Sequence, residues 1–442
     1  MDKYLITGGN TLQGTTTVSG SKNVALKALV AACLTDEGII LENIPLISDF
    51  FNMVNIIKQF GGEVRFAGHT AHVRMKDFQS TEVSLDDASH TRTSSMFLAP
   101  LLIRAGKALI PNPGGCRLGA RPIDRTVEGL SKMGAKIVYD REDGYFHASS
   151  TKLKGIPYRF EKNSHTGTET MIIAASLAEG QTILENVALE PEVDELIAML
   201  KKMGAHIRRT DGRRIIIDGV PKLHGAIMRI GPDRNEIVTF AVAALVTKGE
   251  IFVKEAKAEE LKEFLDMLAS ANGGFEVAGN GIRFFYKGEL VATDVTTMPY
   301  PGFMTDWQAP WAVLMTQAKG ESIIHETVFE NRFSYVSELK KMGARISLFN
   351  PKVENPKEFY NFNMEDDDPK FFHAAKISGL THLHNAIVNI SDLRAGATLV
   401  IAALAAKGES VVHGIPIIQR GYASFDERLR SLGADIKVVE DS

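Results

Sequence analysis

The chain has 442 residues, 44% of them hydrophobic, with 50 Lys and Arg against 54 Asp and Glu and a formal net charge of -4. That length divides into roughly two to four domains. The slightly acidic balance excludes a general nucleic-acid or polyanion binder, so any anion site must be a local cluster. Two cysteines provide no disulfide framework and fit a reducing compartment. No apolar segment follows Met1-Asp2-Lys3, and apolar runs such as 399–406 fall far short of the ~20 residues that span a bilayer. The expectation is a soluble, cytoplasmic protein with neither nucleic acid nor membrane among its partners.

In chain order, the first motif is Gly20-Ser21-Lys22-Asn23, ahead of an apolar stretch that predicts a helix over 24–33. Asn23 is the expected cap, and the open N–H groups of the first turn together with Lys22 make an anion site. Cys33 ends that apolar run and is expected in the core. The stretch 111–125 reads Pro-Asn-Pro-Gly-Gly-Cys-Arg-Leu-Gly-Ala-Arg-Pro-Ile-Asp-Arg. Its glycines and prolines predict a loop shaped by backbone limits. Cys116 lies in its middle, followed by Arg117 and Arg121, and cationic neighbours favour the thiolate. This is a candidate acid or nucleophile beside an anionic substrate, against the plainer reading of a spectator cysteine on a surface loop.

Further polar clusters follow: Lys162-Asn163-Ser164-His165 before Gly167, Pro232-Asp233-Arg234-Asn235-Glu236, Asp392-Leu393-Arg394-Ala395 and Gln419-Arg420-Gly421-Tyr422. Between them, Pro299-Tyr300-Pro301-Gly302-Phe303-Met304-Thr305-Asp306 ends in a carboxylate before Trp307. Each alone reads as a solvated loop. Together they supply Lys22, Arg92, Arg121, Arg394 and Arg420 as cations and Asp306 as a base. No HExxH or CxxC pair is present, and His382-Leu383-His384 is too isolated to hold a metal. Neither a Walker A motif nor GxGxxG opens a βαβ unit.

Two markers run through the whole chain. A helical apolar run, a Gly and a short β-rich run recur at Gly38, Gly106, Gly180, Gly249, Gly320 and Gly408, at spacings of 68, 74, 69, 71 and 88. A helix stop recurs at Phe60-Gly61-Gly62, Met133-Gly134-Ala135, Met203-Gly204-Ala205, Asn272-Gly273-Gly274, Met342-Gly343-Ala344 and Leu432-Gly433-Ala434. Two markers in register six times indicate a duplicated unit of about 70 residues, too large for a solenoid repeat. Three such units make a domain, so the chain reads as two domains with a seam near 229–234. The last repeat is longer, and its extra sequence around 349–372, which includes Glu365-Asp366-Asp367-Asp368, is expected to be a solvated excursion or, less plainly, a lid or oligomer contact.

Seven segments carry a resemblance: 20–23, 113–124, Ala188-Leu189-Glu190-Pro191-Glu192, Thr305-Asp306, Val328-Phe329-Glu330-Asn331-Arg332, 392–395 and Arg420-Gly421-Tyr422. From Gly9 to Ile436 the chain resembles the UDP-N-acetylglucosamine enolpyruvyl transferases (UDP-N-acetylglucosamine 1-carboxyvinyltransferases, the MurA family). EPSP synthase shares their fold but lacks the Cys-bearing loop. The resemblance implies an α/β protein of two domains, each an inside-out α/β barrel of three βαβαββ-like units. One covers 22–230 and carries the Cys116 loop; the other covers 1–21 plus 231–442, with the active site in the cleft between them. It implies transfer of the enolpyruvyl group of phosphoenolpyruvate to the 3-hydroxyl of UDP-N-acetylglucosamine, with release of phosphate, by addition and elimination, as the first committed step of peptidoglycan synthesis. No cofactor and no metal are implied.

Carried over residue by residue, the resemblance makes Cys116 the general acid and target of fosfomycin, and Asp306 the acceptor of the hydroxyl proton. Lys22, Arg121 and Arg420 hold the phosphate and carboxylate of phosphoenolpyruvate, with Arg394 as a further cation. Asn23, Arg92 and Asp306 contact the sugar nucleotide. Arg121, Pro122, Ile123, Asp124 and Arg125, with Lys162, Ser164, His165 and Val328, hold its uridine and diphosphate. The chain departs from the family pattern at Thr126, Leu189 and His165-Thr166. Those departures keep open a second reading, the same reaction on another nucleotide or sugar-nucleotide acceptor. A third, a catalytically silent binding protein, is disfavoured by the retained Lys22, Cys116 and Asp306.

Overall fold

In the computed structural model, which describes residues 2–114 and 122–440, the helices Lys22–Ala32, Leu98–Arg104, His165–Ala175, Arg234–Val246, Gln308–Thr316 and Leu393–Ala405 are buried over most or all of their length. A 3-10 turn, Arg92–Phe97, leads into the second. Their sequences are rich in Ala, Val, Ile and Leu on every face, and every residue of Arg234–Val246 is buried. A helix that is apolar all round must be surrounded. The chain divides into two compact units, one of residues 20–231 and one of residues 2–19 with 232–440, leaving aside 115–121. Each contains three of these helices. Helices such as Ser48–Gln59 and Pro191–Lys202 bury only one face.

Each unit also has three sheets with a common strand order. In one, Ile39–Glu42 runs parallel to Ala226–Arg229 and antiparallel to Thr70–Arg74, which pairs antiparallel with Glu63–Ala67. The sheets built on Gln181–Glu185, Glu250–Lys254 and Glu321–His325 repeat that order. The sheet on Lys107–Pro111 keeps the hairpin but reduces the parallel edge to a single bridge, Glu82 to Leu109. In the last sheet the antiparallel neighbour of Gly408–His413 is the chain's own first strand, Lys3–Gly8, which also pairs with Asp435–Val439. Among the described residues no helix is long and apolar enough to cross a membrane.

The half-buried helices end identically. At Gly61, Gly134, Gly204, Gly343 and Gly433 φ lies between 91° and 103°. The preceding helices close with a Schellman pair; in one, Gly134 N–H donates to Ser131 O at 3.0 Å and Ala135 N–H to Leu130 O at 3.1 Å. The fourth repeat corrects the sequence reading. Its left-handed residue is Asn272 (φ 60°), not Gly273, and Gly273 N–H makes the longer bond, to Leu268 O at 2.8 Å. Asn tolerates that conformation second only to Gly, so the marker stands one residue earlier there.

Candidate active site

Four of the six buried helices start directly on polar caps, and the helices at Leu98 and Gln308 follow 3-10 turns that begin with Arg92 and Thr305. A helix start leaves N–H groups without intrahelical acceptors and carries the positive end of the macrodipole. Ser164 Oγ accepts from Gly167 N–H at 3.1 Å. Asp233 Oδ1 accepts from Asn235 and Glu236 at 2.8 and 3.3 Å. Asp392 Oδ1 accepts from Arg394 and Ala395, both at 3.0 Å. The first helix begins at Lys22, so its cap is Ser21, whose Oγ accepts from Val24 N–H at 3.5 Å, and not Asn23 as expected. Asn23 lies in the first turn, half-buried.

In the unit of residues 20–231, Lys22 Nζ lies 2.6 Å from Asp49 Oδ2, a carboxylate only 3% exposed that fixes the ammonium. Arg92 Nη1 donates to Pro113 O at 3.5 Å, and Gly114 N–H to Ala88 O at 2.9 Å. A Cβ on Gly114 would sit 2.4 Å from Ser89 O, so only glycine fits there. These contacts fasten the chain where it enters 115–121. Cys116 and Arg121 lie outside the described residues. Past them, Pro122 is exposed, Ile123 is buried and caps the helix Asp124–Lys132, and Asp124 lies at its positive end. Arg125 is half-buried; burial draws its pKa down against the pull of Glu161, Tyr158 and Asp124.

Asn163 Nδ2 donates to Val187 O at 3.1 Å, and the half-buried Lys162 and Ser164 flank it. His165 Nε2 lies 3.3 Å from Glu169 Oε1, and Lys27 Nζ 3.1 Å from Glu169 Oε2. Glu169 is fully buried; burial raises its pKa, but His165 and Lys27 outweigh that and hold it below the usual carboxylate value. Burial pulls His165 down, and Glu169 more than restores it, leaving its pKa raised. Sequence reasoning missed Asp49, Lys27 and Glu169. The signal for the last two is a charge inside an apolar helical run, which is rare unless the charge is paired.

In the other unit, Asp306 Oδ1 accepts from Arg332 Nη2 at 2.9 Å and lies 3.9 Å from Arg394 Nε. Arg332 Nη1 reaches to 3.7 Å from Asp392 Oδ1. The side chains of Arg332 and Arg394 are 3% and 7% exposed, while Asp306 keeps 25% open. Arg332 fixes the direction of the Asp306 carboxylate and leaves part of it open. Arg394 Nη1 is buried and meets no hydrogen-bond acceptor among the described residues. The guanidinium lies over the Tyr422 ring at 5.3 Å, and burial is outweighed by Tyr422, Asp233 and Asp306, which hold its pKa up; Nη1 remains a donor for an anionic ligand. Arg420 is half-buried in the turn after Ile415–Ile418. Gly421 lets that turn close on the start of the Arg394 helix, since a Cβ there would lie 2.5 Å from Leu393 Cδ2.

Val328 is half-buried on a segment organised by Glu326, a fully buried carboxylate. Its Oε1 accepts from Val328 and Phe329 N–H at 2.8 and 3.1 Å. Its Oε2 accepts from Thr305 Oγ1 at 2.9 Å and Gln308 Nε2 at 3.1 Å. Thr305 also accepts from Arg332 Nε at 3.3 Å, so one carboxylate ties the Val328 segment to the residue before Asp306. Neither Glu326 nor the partners of Arg332 were apparent from the sequence. Trp307 Nε1 donates to Asn235 Oδ1 at 3.0 Å, joining two helix starts.

The expectation for Cys33 is met: its thiol is buried, pushed up to about 12 by that burial, and hence inert. Among the described residues, Asp140, Asp143 and His147 bring ligand atoms within 4.8 Å on an exposed hairpin, where Asp143 and His147 already pair at 2.7 Å.

Residues 6–429 match the family model of EPSP synthase (3-phosphoshikimate 1-carboxyvinyltransferase). The UDP-N-acetylglucosamine 1-carboxyvinyltransferase of Koribacter versatilis is 42% identical over 443 residues, covering 99% of this chain and 97% of that protein. The crystal structure of the enolpyruvyl transferase NikO from Streptomyces tendae is similar with a TM-score of 0.86 at 23% identity, over 100% of this chain and 99% of that one. EPSP synthase from Acinetobacter baumannii follows at 0.74 and 18%, over 100% of both. At those identities the two structures bear on the fold alone.

Proposed function

The chain belongs to the EPSP synthase (3-phosphoshikimate 1-carboxyvinyltransferase) family, and we propose from that footing that it transfers the enolpyruvyl group of phosphoenolpyruvate to the 3-hydroxyl of UDP-N-acetylglucosamine, releasing phosphate. The observation that carries this reading is the end-to-end match, at 42% identity, to a relative named for that reaction. The product opens peptidoglycan synthesis, and two charged, nucleotide-borne or phosphorylated substrates support action in the cytoplasm. Another acceptor is not favoured, since the NikO likeness is one of fold.

In the addition step the acceptor oxygen bonds to C2 of phosphoenolpyruvate, its proton passes to a base, and C3 gains a proton from an acid. In the elimination step C3 loses a proton, the C2–O bond to phosphate breaks, and the enol ether forms. Asp306 is the base; its support is a partly open carboxylate held in place by Arg332. Cys116 is the acid, supported by Arg117 and Arg121 beside it in sequence. Proton transfer of this kind is worth about 10²–10⁴ in rate. Lys22, Arg121, Arg394 and Arg420 take the substrate anions, which need fixed cations; the buried Nη1 of Arg394 supports its share. Asn23, Arg92, residues 122–125, Lys162, Ser164, His165 and Val328 take the sugar nucleotide.

The test is phosphate release from phosphoenolpyruvate, with UDP-N-acetylglucosamine or UMP as acceptor, and mass analysis of the product. Release with UDP-N-acetylglucosamine alone is expected; release with UMP alone would transfer the reaction to another acceptor. Fosfomycin should leave one adduct, on Cys116, and none on the buried Cys33.

A further inference from the structure

Most of the segment 350–373 is exposed or half-buried, as its acidic run suggests, but it closes over a small core of its own. It joins Arg345–Phe349 to Ala374–Ser378, neighbouring strands that tight turns connect in other sheets. Tyr360 and Phe362 stack at 4.8 Å and 27°, and the His373 ring lies 5.0 and 5.1 Å from them. All three are buried. Tyr360 Oη lies 3.1 Å from His325 Nε2, and Asp367 Oδ1 lies 3.1 Å from His373 Nε2.

This small core grips the Val328 segment by its backbone. Asn361 N–H donates to Thr327 O at 2.7 Å. The bond from Glu326 N–H to His373 O, also 2.7 Å, is the ladder rung that tight turns make in other sheets, as Ile44 N–H does to His69 O at 2.9 Å. On the other side Thr327 N–H donates to Thr297 Oγ1 at 2.9 Å, and the Thr327 hydroxyl donates to Thr297 O. With Val328 and Phe329 N–H on Glu326, the backbone from 326 to 329 is held on both sides. A segment so restrained has little conformational entropy left to lose when a ligand binds.

We propose that the 350–373 insertion is a nucleotide-specificity brace: through Asn361, held by the small core of Tyr360, Phe362 and His373, it sets the Val328 segment in the conformation that receives the uridine end of the sugar nucleotide. This rests on the reading of Val328 as a nucleotide contact. Thr305 and Gln308 hold Glu326 Oε2 without the insertion, so Thr305 and Asp306 stay in place, while the backbone at Thr327 and Val328 loses its outer support and the effect falls on nucleotide binding, not on the chemical step.

One variant replaces 350–373 with Asn-Gly, a two-residue hairpin turn. A second, Asn361→Pro, removes only the donor to Thr327 O. Measured are KM for each substrate, kcat, and UMP affinity by calorimetry. Loss of such ordering should raise KM for UDP-N-acetylglucosamine and Kd for UMP about tenfold in the turn variant and about threefold in Asn361→Pro. KM for phosphoenolpyruvate and kcat should change less than about twofold. Unchanged nucleotide constants, or kcat falling in step with them, would overturn the brace. If the turn variant fails to fold, Asn361→Pro decides by the same criteria. Val328→Gly, run in parallel, tests the premise separately: unchanged UMP affinity there removes Val328 from the site, whatever the insertion does.

Discussion

In the unit of residues 20–231, Lys22 at one helix start meets Asp49, Arg92 meets a backbone carbonyl, and His165 at another start shares the buried Glu169 with Lys27 from the middle of the first helix. In the other unit the charges are shared, with Asp306, Arg332, Asp392 and Arg394 each facing two of the others or linked through them. The first arrangement presents cations one at a time to a ligand. The second fixes the direction of a partly open carboxylate. Duplication supplied the same helix start six times, and the polar residues placed on it separated holding from proton chemistry.

The strongest way to break that contrast is Asp306→Asn, which keeps shape and removes the base. A fall in kcat of about 10²–10⁴ is expected, with UMP affinity little changed. Near-normal turnover would leave the shared cluster without a chemical role.

Next in size is Arg332→Leu, which leaves Asp392 buried with its pairing broken. Stability should fall by about 3–5 kcal/mol, read by urea unfolding. Lys22→Met leaves Asp49 in a similar state, but Lys22 is 12% exposed and its site admits water, so the loss should be smaller, about 1.5–3 kcal/mol. Equal losses would erase the distinction between the units.

Smaller effects follow from pH. His165 has a raised pKa in the folded protein, so its stabilising contribution is complete below its ordinary 6.5 and is lost as pH rises through the raised value. The groups facing it are Glu169, Lys27 and Glu190. His325, in the other unit, is lowered by burial and by His373, so stability is lost as pH falls below 6.5. The urea midpoint of His165→Gln should lose the alkaline decline and keep the acid one; His325→Gln should do the reverse.

The smallest effect compares two helix stops. Gly134→Ala puts a Cβ on a residue at φ 103° and should cost about 1–2 kcal/mol. Asn272→Gly should shift stability by less than about 1 kcal/mol, in the favourable direction. A larger penalty at Asn272 would mean its side chain, which donates to Glu289 O at 2.8 Å, matters more than its backbone.

The repeats were legible because the helix stop needs Gly or Asn at one fixed place, and that requirement survives in sequence. At Asn272-Gly273-Gly274 three adjacent residues tolerate the left-handed region, so the place was misread by one. Ser21 and Asn23 are both good caps, and only the start of the helix at Lys22 decides between them. Asp306 and Lys22 stood out as charges beside punctuated turns. What holds them did not, because Arg332 and Asp306 are 26 positions apart and Lys27 and Glu169 lie on different helices. The acidic run of the insertion announced its solvated surface, whereas the aromatic core of Tyr360, Phe362 and His373 beneath it was not legible.

The interleaving of the last sheet bears on how the protein is made. The three sheets of the unit spanning 20–231 have all their strands once residue 231 has been synthesised. The strand Lys3–Gly8 is translated first, yet both its partners, Gly408–His413 and Asp435–Val439, come last. On a ribosome adding about 5–20 residues per second, its edges stay unpaired for tens of seconds while a complete unit has already formed behind it. During that interval the nascent chain carries a strand with exposed hydrogen-bonding edges, and a chaperone that shields Lys3–Gly8 would protect the half of the molecule that holds Asp306.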